Sequence, residues 1–105
     1  MEISIFYSPF PDKDSAEKVI EIMVREKLIA CGNIISGTSI YEWAGSLAYD
    51  NEYIVIMKTA LSLMTRVEKR LEELHPYDIP AILNWKASAN KAYVLWVESK
   101  VSLEK

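Results

Sequence analysis

Cys31-Gly32-Asn33-Ile34-Ile35-Ser36-Gly37-Thr38-Ser39-Ile40-Tyr41-Glu42-Trp43 is rich in β-branched and aromatic residues, and Tyr49-Asp50-Asn51-Glu52-Tyr53-Ile54-Val55-Ile56-Met57-Lys58-Thr59 repeats that character. Such residues fit a pleated, half-buried backbone. With Gly45-Ser46 as the turn between them, the two runs read as one long antiparallel hairpin. Gly37 interrupts the first run and marks a candidate bulge or bend.

Outward from the hairpin, both flanks carry the same pair of elements. On the N-terminal side, residues 3–8 read as a strand stopped by Pro9 and Pro11. A helix follows. Asp14 and Glu17 have the form of a capping box, and Ala16, Val19, Ile20, Met23 and Val24 recur at helical spacing until an end near Leu28. On the C-terminal side, Leu63, Val67, Leu71 and Leu74 make the stripe of a second helix over residues 62–74. Residues 80–86 read as a fourth strand and residues 88–90 as a turn. Tyr93, Trp96, Val97 and Val101 place a short third helix after it. The order β-α-β-β-α-β plus a helix is the ferredoxin-like split βαβ arrangement, an α+β fold in one domain spanning residues 1–105.

The strands do not alternate as a sheet with one wet face should. Tyr53 to Met57 is apolar at every position, and so are Ile5-Phe6, Ile34-Ile35 and Ala81-Ile82-Leu83. The second face therefore needs a cover. Self-association supplies one, and the third helix folding beneath the sheet supplies another.

Bulk composition narrows the function. The 105 residues carry a net charge of −3 with both signs scattered, so no basic cluster exists to neutralise a phosphate backbone and nucleic acid is not expected as a partner. Cys31, the single cysteine, cannot close an internal disulfide. The first residues lack the pattern of a signal peptide, and no apolar run approaches the roughly 18 residues that span a bilayer. A cytoplasmic protein without a membrane partner is the expectation.

Chemistry concentrates around Leu74-His75-Pro76-Tyr77-Asp78-Ile79-Pro80, which holds the only histidine. The prolines fix φ and bias His75 and Ile79 toward extended backbone. Behind a helix end, His75 is expected near the surface or at an interface with its pKa raised, either as a copper or zinc ligand or as a cap on the last helical carbonyls. Cys31 reads as a soft metal ligand or as a small buried hydrophobe. A Cys31/His75 nucleophile pair oriented by Asp78 is the enzyme alternative, and it lacks oxyanion-hole glycines. Lys58 could meet an anion or Glu52, or stand as a solvated strand end. Trp43, Trp85 and Trp96 read as packing residues of a core edge or interface.

With these residues laid out, the chain resembles the CutA family of divalent-cation tolerance proteins. Leu28-Ile29-Ala30-Cys31-Gly32-Asn33-Ile34 resembles that family's "LAACVNI" segment, and Ser39-Ile40-Tyr41-Glu42-Trp43-Ala44-Gly45 its "SIYRWEG" hairpin tip. Glu52 leading into Lys58-Thr59 is similar to "EEVLLLIKT", and residues 75–80 to the signature "HPYEVP".

The resemblance implies a non-enzymatic cytoplasmic homotrimer in which edge strands pair between subunits. It implies a divalent metal ion, Cu2+ ahead of Zn2+, and no organic cofactor. Its metal ligands would be His75 and Cys31 with a nearby carboxylate. Ala81 stands where the family is often acidic, which leaves Asp78 or Glu52 in that role. Tyr77, Lys58, Glu52, Asn33 and Trp43 would line the cleft or shape the signature. Gly32 replaces the usual valine. An alternative is a signalling or scaffold trimer similar to the PII sensors, taking a small anion or an unidentified protein partner between subunits, at a cleft lined by Lys58, Tyr77 and His75. A third is a purely structural role for the signature.

Overall fold

The computed structural model describes residues 1–103. The chain runs β1 (Glu2–Phe10), α1 (Lys13–Arg25), β2 (Cys31–Trp43), β3 (Ser46–Thr59), a 3-10 turn (Leu61–Leu63) leading into α2 (Met64–Leu74), β4 (Leu83–Ser88) and α3 (Lys91–Lys100). The sheet order is β2-β3-β1-β4, with every neighbouring pair antiparallel. This is the split βαβ order that the sequence pattern implies.

Several boundaries differ from the sequence reading, each for a local reason. β1 runs through Pro9 to Phe10, because β4 pairs β1 only from Glu2 to Tyr7. The Pro9 carbonyl bonds the His75 ring at 3.1 Å. An extended residue presents its carbonyl and its nitrogen to the same side, so the missing N–H falls where no strand needs it. The cap of α1 is Asp12, whose Oδ1 accepts from the Ser15 N–H at 2.7 Å, and Asp14 sits in the first turn. α1 ends three residues earlier than expected, in a Schellman motif. Leu28 N–H donates to Met23 O and Lys27 N–H to Val24 O, both at 3.0 Å, with Lys27 left-handed at φ 59°.

The hairpin carries no bulge. From Cys31↔Lys58 to Trp43↔Ser46 the register is unbroken, and Gly37 faces Glu52 within it. Ala44 and Gly45, at φ 52° and 87°, form the two-residue turn, so β3 starts at Ser46 rather than Tyr49. β4 starts at Leu83 rather than Pro80, because the Ala81 carbonyl accepts from the Ser8 hydroxyl at 2.7 Å.

Register sorts the sheet into two faces. Phe6, Phe10, Val55 and Met57 are fully buried on the first, with α1 crossing so close over Gly32 that a Cβ there would lie 2.9 Å from Ile20. Side chains of this size each stabilise by about 1.5–3 kcal/mol on burial, so this face dominates the fold energetically. Val24, by contrast, points outward, 40% exposed.

On the second face α3 brings Tyr93 against Cys31, and its Val94 and Val97 join the core. That cover is partial. Ile35, Leu83 and Trp85 stay 53%, 51% and 45% exposed. β1 pairs β3 only between Phe10↔Tyr53 and Ser4↔Thr59, so the rest of the hairpin projects as a two-stranded ribbon from a domain 47 Å long.

Candidate functional site

His75 follows the last turn of α2, and its backbone N–H closes that turn on Leu71 O at 2.9 Å. The ring turns away from the helix into the fold, 8% exposed, stacked on Phe10 with centroids 4.2 Å apart and on Tyr77 at 5.3 Å. Its hydrogen-bond set determines the tautomer. The Tyr77 backbone N–H can only donate, so Nδ1, at 3.2 Å, is the bare nitrogen. The Pro9 carbonyl can only accept, so Nε2 carries the proton and donates to Pro9 O at 3.1 Å, with Ser8 Oγ at 3.0 Å sharing it. Ser8 in turn donates to Ala81 O.

Both nitrogens are thus engaged: Nε2 carries a proton, and the Nδ1 lone pair accepts from the Tyr77 N–H. Burial holds the imidazole below its usual pKa, against smaller upward pulls from the Pro9 carbonyl and the Glu52 charge. The expectation of a surface histidine with a raised pKa is overturned. A ring clamped to β1 is inside the protein, and desolvation outweighs the helix end.

From Tyr77 the network continues outward. Its hydroxyl donates to Glu52 Oε2 at 2.7 Å, and the Ser39 hydroxyl donates to Glu52 Oε1. Burial, then the Glu52 carboxylate, push the Tyr77 phenol well above its ordinary pKa. One step along the ribbon, the Tyr41 hydroxyl donates to Asp50 Oδ2 at 2.5 Å. Tyr41, Trp43, Asp50 and Glu52 share the second face by register and, with Tyr77, Asp78, Ile79 and Ala81, border an open groove of about 660 Å³. Asp78 and Ala81 belong to that border, Asp78 exposed. Trp43 is 72% exposed rather than packed in a core edge.

Cys31 and Lys58 lie at the other end of the sheet. Cys31 Sγ is 3.8 Å from the Tyr93 hydroxyl, whose pKa is pushed up to about 12 by burial and by the thiol beside it. Lys58 Nζ donates to Asn33 Oδ1 at 2.6 Å. Cys31 pairs Lys58, which pairs Ile5, four residues before Pro9. That is about 13 Å along the strands, so one chain does not bring Cys31 to His75. Lys58 and Glu52, six residues apart on β3, stand about 20 Å from each other, and no contact joins them. Asp78 does not orient the ring, since other groups occupy both nitrogens. Among the described residues no three of His, Cys, Asp and Glu gather where they could hold a metal ion.

Sequence reading missed Ser8, Ser39, Tyr41 and Asp50. The last three were discoverable: a two-residue turn at Ala44-Gly45 puts Ser39 and Tyr41 on the face of Asp50 and Glu52. Ser8 carried no signal, because its partners are 67 and 73 residues away.

A model of the family described as CutA1 divalent ion tolerance protein matches residues 4–100. The divalent-cation tolerance protein CutA of Pyrococcus horikoshii is 40% identical over 94 residues, 89% of this chain and 92% of that one. A crystal structure of CutA1 from the same organism superposes with a TM-score of 0.89 at 37% identity, covering 94% of this chain and 98% of the other. A Nostoc protein described as PII-like protein CutA, in apo form, gives a TM-score of 0.87 at 26% identity, over 96% of this chain and 99% of that one.

Proposed function

The chain belongs to the CutA1 divalent ion tolerance family, and we propose that it works as a homotrimer in divalent-cation tolerance without catalysing a reaction. The observation that carries the reading is the uncovered half of the second sheet face. Ile35, Ile54 and Pro9 form one cross-strand row there and Ile56, Tyr7 and Leu83 the next, with Trp85 beside them. A continuous apolar patch on a sheet favours closure by symmetric copies. Cys31 and His75 stand too far apart in one chain to act as nucleophile and base, which favours binding over catalysis.

In this reading Cu2+, ahead of Zn2+ in intrinsic affinity, is taken at the segment 75–80 through the exposed Asp78 carboxylate, with the remaining donors coming from another copy. His75 keeps the segment in shape.

Light scattering tests the assembly. A mass of about 36 kDa, three times the 12.0 kDa chain, supports it, and a monomer sinks it. Calorimetric titration with Cu2+ in a non-chelating buffer tests the site. Binding that survives His75→Ala and weakens in Asp78→Asn supports this assignment. Loss in His75→Ala with Asp78→Asn unaffected would return the ligand role to the histidine.

A further inference from the structure

The hairpin changes character at the pair Gly37↔Glu52. One residue inward, Tyr53 pairs Ser36 on one side and Phe10 on the other, and at Phe10 β1 ends. From Gly37↔Glu52 to Trp43↔Ser46 each strand has only the other, and a lone two-stranded ribbon is marginal in water. Glycine stands at that boundary. It makes no cross-strand side-chain contact and leaves the backbone its greatest freedom, so the ladder is weakest where its third strand stops.

A brace compensates at the same level. Glu52 accepts from the Tyr77 hydroxyl at 2.7 Å through Oε2 and from the Ser39 hydroxyl through Oε1. Ser39 belongs to the ribbon, whereas Tyr77 belongs to the segment that the His75 ring fastens to Pro9. One carboxylate thus joins the base of the ribbon to the body of the domain. Beyond it the ribbon is apolar on both faces, with Ile40, Leu47 and Tyr49 exposed on one and Tyr41 and Trp43 on the other. Tyr41 and Trp43 continue the sheet face on which Ile35, Leu83 and Trp85 lie uncovered.

We propose that Gly37–Glu52 is a hinge and the Tyr77–Glu52 hydrogen bond its latch. The ribbon is then a cooperative unit of its own, which the latch holds ready to clasp a second copy of this chain. A preset ribbon loses less freedom on association than a loose one, so the latch acts on the affinity between copies. The clasp rests on the homotrimer reading, whereas the hinge and latch do not.

The test is hydrogen exchange of the full chain followed by mass spectrometry, with light scattering on a dilution series. Tyr77→Phe removes the latch and keeps a ring stacked on His75. Exchange at residues 38–51 should rise about three- to tenfold, while residues 31–36 and 53–59 keep their wild-type rates. Adding Gly37→Ala should slow the ribbon again, since the nearest atom to a Cβ there is Ile54 Cδ1 at 3.1 Å, the free end of a side chain. The trimer should fall apart at a severalfold higher concentration in Tyr77→Phe than in wild type. Ribbon exchange unmoved by Tyr77→Phe overturns the hinge and latch, and so does an equal rise in residues 31–36, which makes the hairpin one unit. Faster ribbon exchange with an unchanged dissociation midpoint overturns the clasp. A wild-type mass of one chain sinks the homotrimer reading and the clasp with it, and the exchange measurement then still decides the hinge.

Discussion

His75 Nε2 lies 3.1 Å from the Pro9 carbonyl oxygen, although 66 residues separate the two in the chain. This bond ties the connection between α2 and β4 to the end of β1. It forms where β1 has outrun β4, at a position whose proline has no N–H to offer. Only the neutral ring, with Nδ1 bare and Nε2 protonated, satisfies Pro9 and the Tyr77 N–H together. The signature histidine is therefore first a fastener.

Removing that ring is costly. His75→Gln leaves a buried carbonyl and a backbone N–H short of a partner, and loses the stack on Phe10. We expect a loss of about 1–3 kcal/mol in urea unfolding at pH 8 and fixed protein concentration. A change within error would show that the loop holds without the ring.

The same ring sets a pH dependence with a definite sign. Unfolded, the imidazole takes a proton near 6.5, and in the fold burial keeps it neutral to lower pH. Above that value both states are neutral and the ring adds no slope. Below it the unfolded state binds more protons, so stability is lost as pH drops, by up to about 1.4 kcal/mol per unit, until the folded pKa is reached. Because this is the only histidine, the stability gap between wild type and His75→Gln isolates it. That gap should narrow as pH drops from about 7.5 toward 5.5. A constant gap would mean that the native ring titrates like a free one.

Gly32 is one of two positions, with Ile29, where this chain parts from the "LAACVNI" pattern, and at Gly32 packing gives the reason. A Cβ at Gly32 would lie 2.9 Å from Ile20 Cγ1 and 3.1 Å from Cγ2, atoms next to the branch point that cannot swing aside. Gly32→Val should cost about 1–3 kcal/mol by overpacking, measured as a lower midpoint in denaturant. Gly32→Val with Ile20→Ala should recover most of the loss. Failure to recover would locate the strain in the strand backbone instead.

How far the sequence was readable depended on how local each interaction is. The order of elements along the chain followed from periodicity, because residues 31–59 and the stripe Leu63, Val67 and Leu71 each report on their own neighbourhood. Segment ends were less legible. Asp12 and Asp14 are equally good caps on paper, and Pro9 is excluded from a strand only if both edges are paired. The site was the least legible part. Its donors and acceptors, Ser8 with His75 and Tyr77 with Glu52, come from elements joined only by the completed sheet. Proximity of Cys31 and His75 could not be judged until register put them at opposite ends.

Lys27 offers a gain. It occupies the left-handed C′ position of α1 at φ 59°, where a side chain costs about 1–2 kcal/mol and glycine costs nothing. Glycine returns part of that through the greater freedom of its unfolded chain. Lys27→Gly should therefore stabilise by roughly 0.5–1 kcal/mol, a rise of a few degrees in Tm for a domain of this size. The hydrogen bond from Ser102 N–H to Lys27 O, 2.9 Å, uses backbone alone and survives the change. A lower Tm would mean that the lysine side chain makes a contact worth more than the strain.

Leu83 and Trp85 decide whether the second sheet face is an interface. Both point there from β4, beside Tyr7 and Ile5 of β1, and both are about half exposed in a single chain, at 51% and 45%. Lysine at either position keeps its stem on the sheet and its ammonium in water, so a single chain should lose under about 1 kcal/mol. In an assembly the same ammonium enters an apolar contact unpaired, at a cost of several kcal/mol repeated at each symmetric copy. Leu83→Lys should therefore drop the scattering mass to that of one chain while circular dichroism stays unchanged. If mass and spectrum both persist, the trimer is held elsewhere, and the free outer edge of the ribbon from Ser46 to Glu52 is the next place to break it.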